Sequence, residues 1–128
     1  MPKTIEYLTF AGATGGSPLS PAVRTGDFVW VSGQIPAGAD GVIVGHEITA
    51  QTKQVMANIE KALALAGCTL DDICKTTVWL QDARDFRAFN TTYAGFFTKG
   101  LPARTTSEAR LMANILIEIE AVAYKPQD

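Results

Sequence analysis

The sequence predicts a single α+β domain over residues 1–128: a mixed β-sheet with two helices packed on one face, in the order β-β-β-α-β-α-β-β. Three observations predict it. Two segments, near 48–66 and 85–97, repeat apolar residues at three- and four-residue steps. Runs rich in β-branched and aromatic residues surround them, punctuated by Gly, Pro and Asp. A length of 128 residues suits one hydrophobic core.

In chain order, residues 4–8 form a short expected strand. Gly12, Gly15, Gly16 and Pro18 mark 11–20 as a loop. A brief extended piece at 22–24 meets the turn signal Thr25-Gly26-Asp27. Phe28-Val29-Trp30-Val31-Ser32 reads as a central strand that ends at Gly33-Gln34-Ile35-Pro36. Three glycines make 37–45 a loop. Thr49 is the expected N-cap of the first helix. Its buried stripe is Ile48, Thr52, Val55, Met56, Ile59, Leu63 and Ala66, and Gly67 is its stop. Asp71-Asp72 precede a strand over 73–80. There Cys74, Thr76, Val78 and Leu80 share one face, and Lys75, Thr77 and Trp79 the other. In the second helix Phe86, Phe89, Tyr93, Phe96 and Phe97 form an aromatic stripe expected in the core.

The segment 101–124 reads as two strands joined by a short turn. Pro102 sits where a strand begins. Arg104, Thr106, Glu108 and Arg110 share one face of the first strand. In the second, Ile117, Ile119, Ala121 and Ala123 oppose Glu118 and Glu120. Pairing the two as a hairpin of equal parity puts Arg104 and Glu118 on the same side. With the helices on the opposite face, Trp79, Arg104, Thr106, Glu118 and Glu120 form an uncovered surface. One reading is a solvated face with surface ion pairs, each worth about 0–1 kcal/mol. The other is a carboxylate-binding site, because the guanidinium fork matches a carboxylate bidentately. Such a face also suits burial against copies of the same chain, with pockets between subunits.

Composition narrows the function classes. The hydrophobic fraction is 47% and the charged fraction 19%, as in ordinary globular proteins. A net charge of −2 provides no electrostatic footprint for nucleic acid or an anionic membrane. No apolar run approaches the roughly 20 residues of a membrane span. Met1-Pro2-Lys3 lacks the apolar core of a secretory signal, so a cytoplasmic protein is expected. Cys68 and Cys74 are expected to be buried thiols, and His46 an exposed loop residue; their spacing suggests no metal site.

Taken together, the motifs resemble the RidA (YjgF) family of reactive intermediate deaminases. They run in order through Ser20-Pro21-Ala22-Val23-Arg24, Val31-Ser32-Gly33-Gln34-Ile35-Pro36 and Gln51-Thr52-Lys53-Gln54. They continue through Asp71-Asp72-Ile73-Cys74-Lys75-Thr76-Thr77-Val78 and Phe89-Asn90-Thr91-Thr92-Tyr93-Ala94-Gly95-Phe96-Phe97. Pro102-Ala103-Arg104-Thr105-Thr106 and Ile117-Glu118-Ile119-Glu120-Ala121 close the series.

The resemblance implies a chorismate-mutase-like fold and a homotrimer with sites in clefts between subunits. It implies cofactor-free hydrolysis of 2-imino acids, such as 2-iminobutanoate and 2-iminopropanoate, to 2-oxo acids and ammonia. By the same resemblance Arg104 grips the substrate carboxylate and Glu118 activates the attacking water. Ser32, Gly33, Phe89, Asn90 and Thr106 line the pocket, Thr106 standing where many members have cysteine. Leu19 replaces a common tyrosine, and the turn before the last strand is one residue shorter and lacks the usual proline. These departures keep two alternatives open: an enamine acid such as aminoacrylate as substrate, or a non-catalytic trimer that binds small carboxylates. Some members have been described as ribonucleases, a role for which this chain has no basic stripe.

Overall fold

The computed structural model describes residues 4–13 and 16–127. Residues 1–3 and Gly15 of the expected loop lie outside them. Six strands form one sheet: β1 Ile5–Leu8, β2 Ala22–Thr25, β3 Phe28–Gln34, β4 Ile73–Leu80, β5 Ala103–Glu108 and β6 Ile117–Tyr124. Helices α1 Ile48–Ala64 and α2 Phe86–Ala94 complete the expected element order. The spatial order of the strands is β1-β2-β3-β6-β4-β5.

The expected closing hairpin does not form. β6 runs antiparallel to both β3 and β4, and β5 pairs with β4 in parallel. Two local properties account for this. β4, α2 and β5 form a crossover unit, and such a connection leads naturally to a parallel neighbour. β5 reads Ala-Arg-Thr-Thr-Ser-Glu, a polar strand suited to a sheet edge. β6 buries Ile117, Ile119, Ala121 and Ala123 and takes the central position instead.

The core lies between the sheet and α1, where Val55, Met56, Ile59 and Leu63 meet Val29, Val78, Ile119 and Ala123. The period expected of α1 holds, although Ala66 is only partly buried. The cap lies elsewhere than expected. Glu47, not Thr49, is the N-cap, and its carboxylate accepts from the backbone N–H of Thr49 (3.0 Å) and Ala50 (2.7 Å). A carboxylate there satisfies two orphan donors and meets the positive end of the helix. Gly67 ends the helical segment with φ +72°, while Cys68 N–H donates back to the Leu63 carbonyl at 3.0 Å.

In β4 the expected alternation slips at its start. The register shifts between Ile73 and Lys75, which buries Ile73 and leaves Cys74 exposed. Cys68 is buried as expected, and His46 is exposed. The second helix is shorter than expected. A single 3-10 turn over Ala83–Asp85 precedes it, and it stops at Ala94. Among the described residues no helix is long and apolar enough to cross a membrane.

Buried and half-buried polar side chains tie these elements together. Gln51 accepts from Leu116 N–H at 2.8 Å, and Asn58 donates to the Ile35 and Ala37 carbonyls, both at 2.9 Å. Arg24, 8% exposed on β2, donates to the carbonyls of Ala66 (2.8 Å), Gly26 (3.3 Å) and Lys125 (3.3 Å). It joins the end of α1 to the β2–β3 turn and to the chain just beyond β6, and a helix C-terminus is a favourable place for a cation. Arg24→Met should therefore cost about 1.5–3 kcal/mol in urea unfolding, with part recovered by Arg24→Lys. A change below about 0.5 kcal/mol would contradict this role.

Candidate functional site

Strand register decides where the candidate residues point. Arg104 pairs with Thr76 and Thr106 with Val78, and both partners are buried beneath the helices. Arg104 and Thr106 therefore face the helix side, not the uncovered face expected from the hairpin. Glu118 pairs with Trp79 and Glu120 with Thr77, on the opposite face. Within one copy, Arg104 and Glu118 thus lie on opposite sides of the sheet. They also flank β4 from either edge, on the order of 10 Å apart laterally.

The first cluster is built by α2 and β5. The Arg104 guanidinium carbon lies over three rings: Phe89 at 5.1 Å, Tyr93 at 5.1 Å and Phe86 at 5.6 Å. Among the described residues the guanidinium has no carboxylate at ion-pair distance. It opens into a groove of about 380 Å³ lined by Asn90, Tyr93, Ala94, Leu101 and Pro102. Asn90 Oδ1 and Thr106 Oγ1 are buried without a hydrogen-bond partner. Buried polar atoms are normally satisfied, so two orphans flanking an unpaired cation point to a missing ligand or neighbour.

The second cluster lies on the other face, at the bulge in β3. The register shifts between Val31 and Gln34, and the bulge carries Ser32 and Gly33. The Glu118 carboxylate occupies the space that a Cβ on Gly33 would fill. A glycine here lets the carboxylate lie against the backbone. Ser32 Oγ donates to the Ser20 carbonyl at 2.6 Å, which holds the loop bearing the exposed Leu19 beside this bulge. Trp79, Arg110, Leu111 and Met112 border Glu118 on its other side in a recess of about 210 Å³. Burial first, and the neighbouring Glu120 second, push the Glu118 pKa above the ordinary glutamate range.

The candidates thus separate into two groups. Phe89, Asn90, Arg104 and Thr106 gather on one face; Ser32, Gly33 and Glu118 gather on the other, with Leu19 nearby. The first can hold a small anion, and the second presents a carboxylate poised to take a proton. Sequence reasoning missed Tyr93, Leu101 and Pro102 as groove residues, Phe86 as a ring beneath Arg104, and Leu111 and Met112 beside Glu118; Trp79 shares the Glu118 face as expected. The aromatic stripe was a usable signal, but the same spacing describes ordinary core. Phe89 and Tyr93 are indeed buried, while Phe86 is 44% exposed.

The raised pKa of Glu118 carries a stability consequence. A carboxyl whose folded pKa is raised stabilises the fold below its unfolded pKa and loses that contribution as pH rises through the folded value. Glu118→Gln should then unfold at an equal or higher urea concentration than wild type at about pH 7, with the advantage gone near pH 4. A variant less stable at neutral pH would reveal an ionised Glu118 with a stabilising partner.

Comparison with known proteins adds a family. The family model described as Endoribonuclease L-PSP matches residues 13–125. A RutC family protein of Pyrococcus horikoshii is 46% identical over 110 residues, covering 84% of this chain and 87% of its own. A 2-iminobutanoate/2-iminopropanoate deaminase of Salmonella typhimurium is 39% identical over 129 residues, covering 98% of this chain and 99% of its own. The crystal structure of the YjgF gene product from E. coli superposes with a TM-score of 0.84 at 35% identity, over 93% of this chain and 98% of that one.

Proposed function

Because this chain belongs to the RidA (YjgF) family, we propose that it hydrolyses 2-imino acids to 2-oxo acids and ammonia without a cofactor, in sites shared between copies of itself. The observation that carries this reading is the placement of Arg104 and Glu118 on opposite faces of one sheet, each in a half-built pocket. A three- or four-carbon acid cannot reach both in one copy. When the Arg104 face of one subunit meets the Glu118 face of the next, the two halves form one cleft. A closed ring of such heterologous contacts gives every subunit one complete site, and a homotrimer is a small ring of this kind. The outer face favours association, since Ile5, Tyr7, Phe28, Trp30 and Tyr124 stand exposed on it.

In the assembled cleft Arg104 binds the substrate carboxylate through its N–H fork. Asn90 and Thr106 supply the polar atoms left unpaired beside it. The imine carbon is already electrophilic, so no side-chain nucleophile is required. Glu118 takes a proton from water as the oxygen attacks that carbon of the N-protonated imine, giving a neutral carbinolamine. The protonated Glu118 returns the proton to nitrogen, the C–N bond breaks as the ionised Glu118 takes the hydroxyl proton, and the 2-oxo acid leaves with ammonia, which carries that proton away as ammonium. Positioning the two reactants supplies much of the acceleration. The carboxylate's proton transfer typically adds about 10²–10⁴-fold.

A second reading has an observation of its own. Leu19 presents an apolar, exposed side chain beside the Glu118 half, and a pocket that only binds small carboxylates needs no further donor there. A ribonuclease reading, suggested by the description of the family model, has little electrostatic support from a chain of net charge −2.

The test follows ammonia release from 2-iminobutanoate generated in situ. Arg104→Ala should lower kcat/KM by about 10²–10³-fold, chiefly by losing charge-assisted hydrogen bonds. Glu118→Gln should lower kcat by about 10²–10⁴-fold. The acid limb of the wild-type pH profile should fall above the ordinary glutamate value, because the base works only when ionised and its pKa is raised. Saturable 2-oxo acid binding with no rate above background would favour the binding-only reading.

Gly33→Ala gives a second expectation. The added Cβ displaces the Glu118 carboxylate, while the backbone of Gly33 needs no left-handed φ. The variant should fold normally and lose at least about 10-fold in kcat. Full activity would show that the position of Glu118 against this glycine is immaterial.

A further inference from the structure

Building on the proposed carboxylate site, we infer that Phe86, Phe89 and Tyr93 are positioning residues that fix the Arg104 guanidinium for its ligand. Arginines that bind substrates need to be held still, and an acidic neighbour is the usual means. Such a neighbour would compete with the ligand for the same N–H groups and offset part of the charge. Here the guanidinium is held by ring faces instead, at 5.1, 5.1 and 5.6 Å, and among the described residues it has no acidic partner. Ring faces attract the cation without occupying its hydrogen-bonding edge. The full charge and the N–H fork are left to the groove.

The bracket is itself braced. Phe86, Phe89 and Tyr93 fall at three- and four-residue steps on α2 and so share one face of the helix. Tyr93 packs between Phe89 (centroids 5.2 Å apart) and Phe97 (4.9 Å). Its hydroxyl shares a fully buried hydrogen bond of 2.7 Å with the hydroxyl of Thr76. Thr76 is the strand partner of Arg104 on β4. The residue next to Arg104 in the sheet therefore locks the ring on which Arg104 rests. Phe86 is the informative member. It is 44% exposed, so a core-packing role explains its ring poorly, and its removal disturbs the core least.

The experiment compares Phe86→Leu and Phe86→Tyr with wild type, using the intact protein. Binding of 2-oxobutanoate is measured by calorimetry, and the Arg104 side-chain Nε–H resonance is followed by NMR. Phe86→Leu should weaken 2-oxobutanoate about 3- to 10-fold and move the Arg104 resonance towards its solvent-exposed position. Phe86→Tyr should restore both, and the melting temperature should barely change in either. In turnover of 2-iminobutanoate the loss should fall on KM and leave kcat within about twofold. If wild type binds 2-oxobutanoate but turns over no imine, the proposed reaction fails while the bracket is still read from binding. Three outcomes overturn the inference: unchanged affinity and resonance in Phe86→Leu, a loss that Phe86→Tyr shares, or no binding of 2-oxobutanoate to wild type.

Discussion

β6 is inserted between β3 and β4, and its strict alternation sets the constraint on which the molecule depends. Ile117, Ile119, Ala121 and Ala123 must face the helices, because burying their apolar surface is worth far more than any surface contact they could make. Glu118 and Glu120 are then committed to the opposite face. β5 is displaced to the sheet edge and takes its parity from β4, which turns Arg104 and Thr106 towards α2. No local rearrangement of side chains brings Arg104 and Glu118 together, since a one-residue slip of β6 would turn Ile117, Ile119, Ala121 and Ala123 out of the core. Hydrophobic burial within the chain thus keeps Arg104 and Glu118 on opposite faces of a single copy.

Each half of the site shows a cost that folding alone does not explain. On one side, among the described residues, lie a cation without an acidic partner and two buried polar atoms without hydrogen bonds. On the other, a carboxylate with a raised pKa sits against a glycine at a bulge. Unpaired buried polar groups and perturbed carboxyls collect where a ligand is bound or a proton is moved. The exposed aromatic face of β1, β3 and β6 is a third unmet demand, and the proposed association between copies would answer all three at once. Elsewhere the Thr52 hydroxyl on α1 is also buried without a partner, whereas Arg24, Gln51 and Asn58 find partners for their polar side chains and hold the elements that carry the candidate site.

Much of this structure is legible in the chain. The period of α1 and its stop at Gly67 are local properties, and so is the alternation of β6. Motif order leads to the family and to most of the candidate residues. The failures share a physical cause. Alternation tells which residues of a strand share a face, but not which strand lies beside it. It therefore puts Arg104 on the wrong side, because the orientation of Arg104 depends on β4, a strand distant in the chain. Cys74 is misplaced by a register shift that no local pattern announces. Thr49 loses the cap to Glu47 because carboxylate reach, rather than residue preference, decides that end of the helix. The aromatic stripe of α2 reads as core, and its second role emerges only with Arg104 lying above it.

The most direct test of a site shared between copies is subunit mixing. Arg104→Ala and Glu118→Gln proteins are each prepared, unfolded together in equal amounts, refolded and assayed with 2-iminobutanoate. In a mixed ring, an Arg104 from one variant meets a Glu118 from the other at about a quarter of the clefts, so about a quarter of wild-type activity should return. If both residues served one copy's own site, every site would lack one of them. Mixing would then restore nothing, and a cleft shared between subunits would be contradicted.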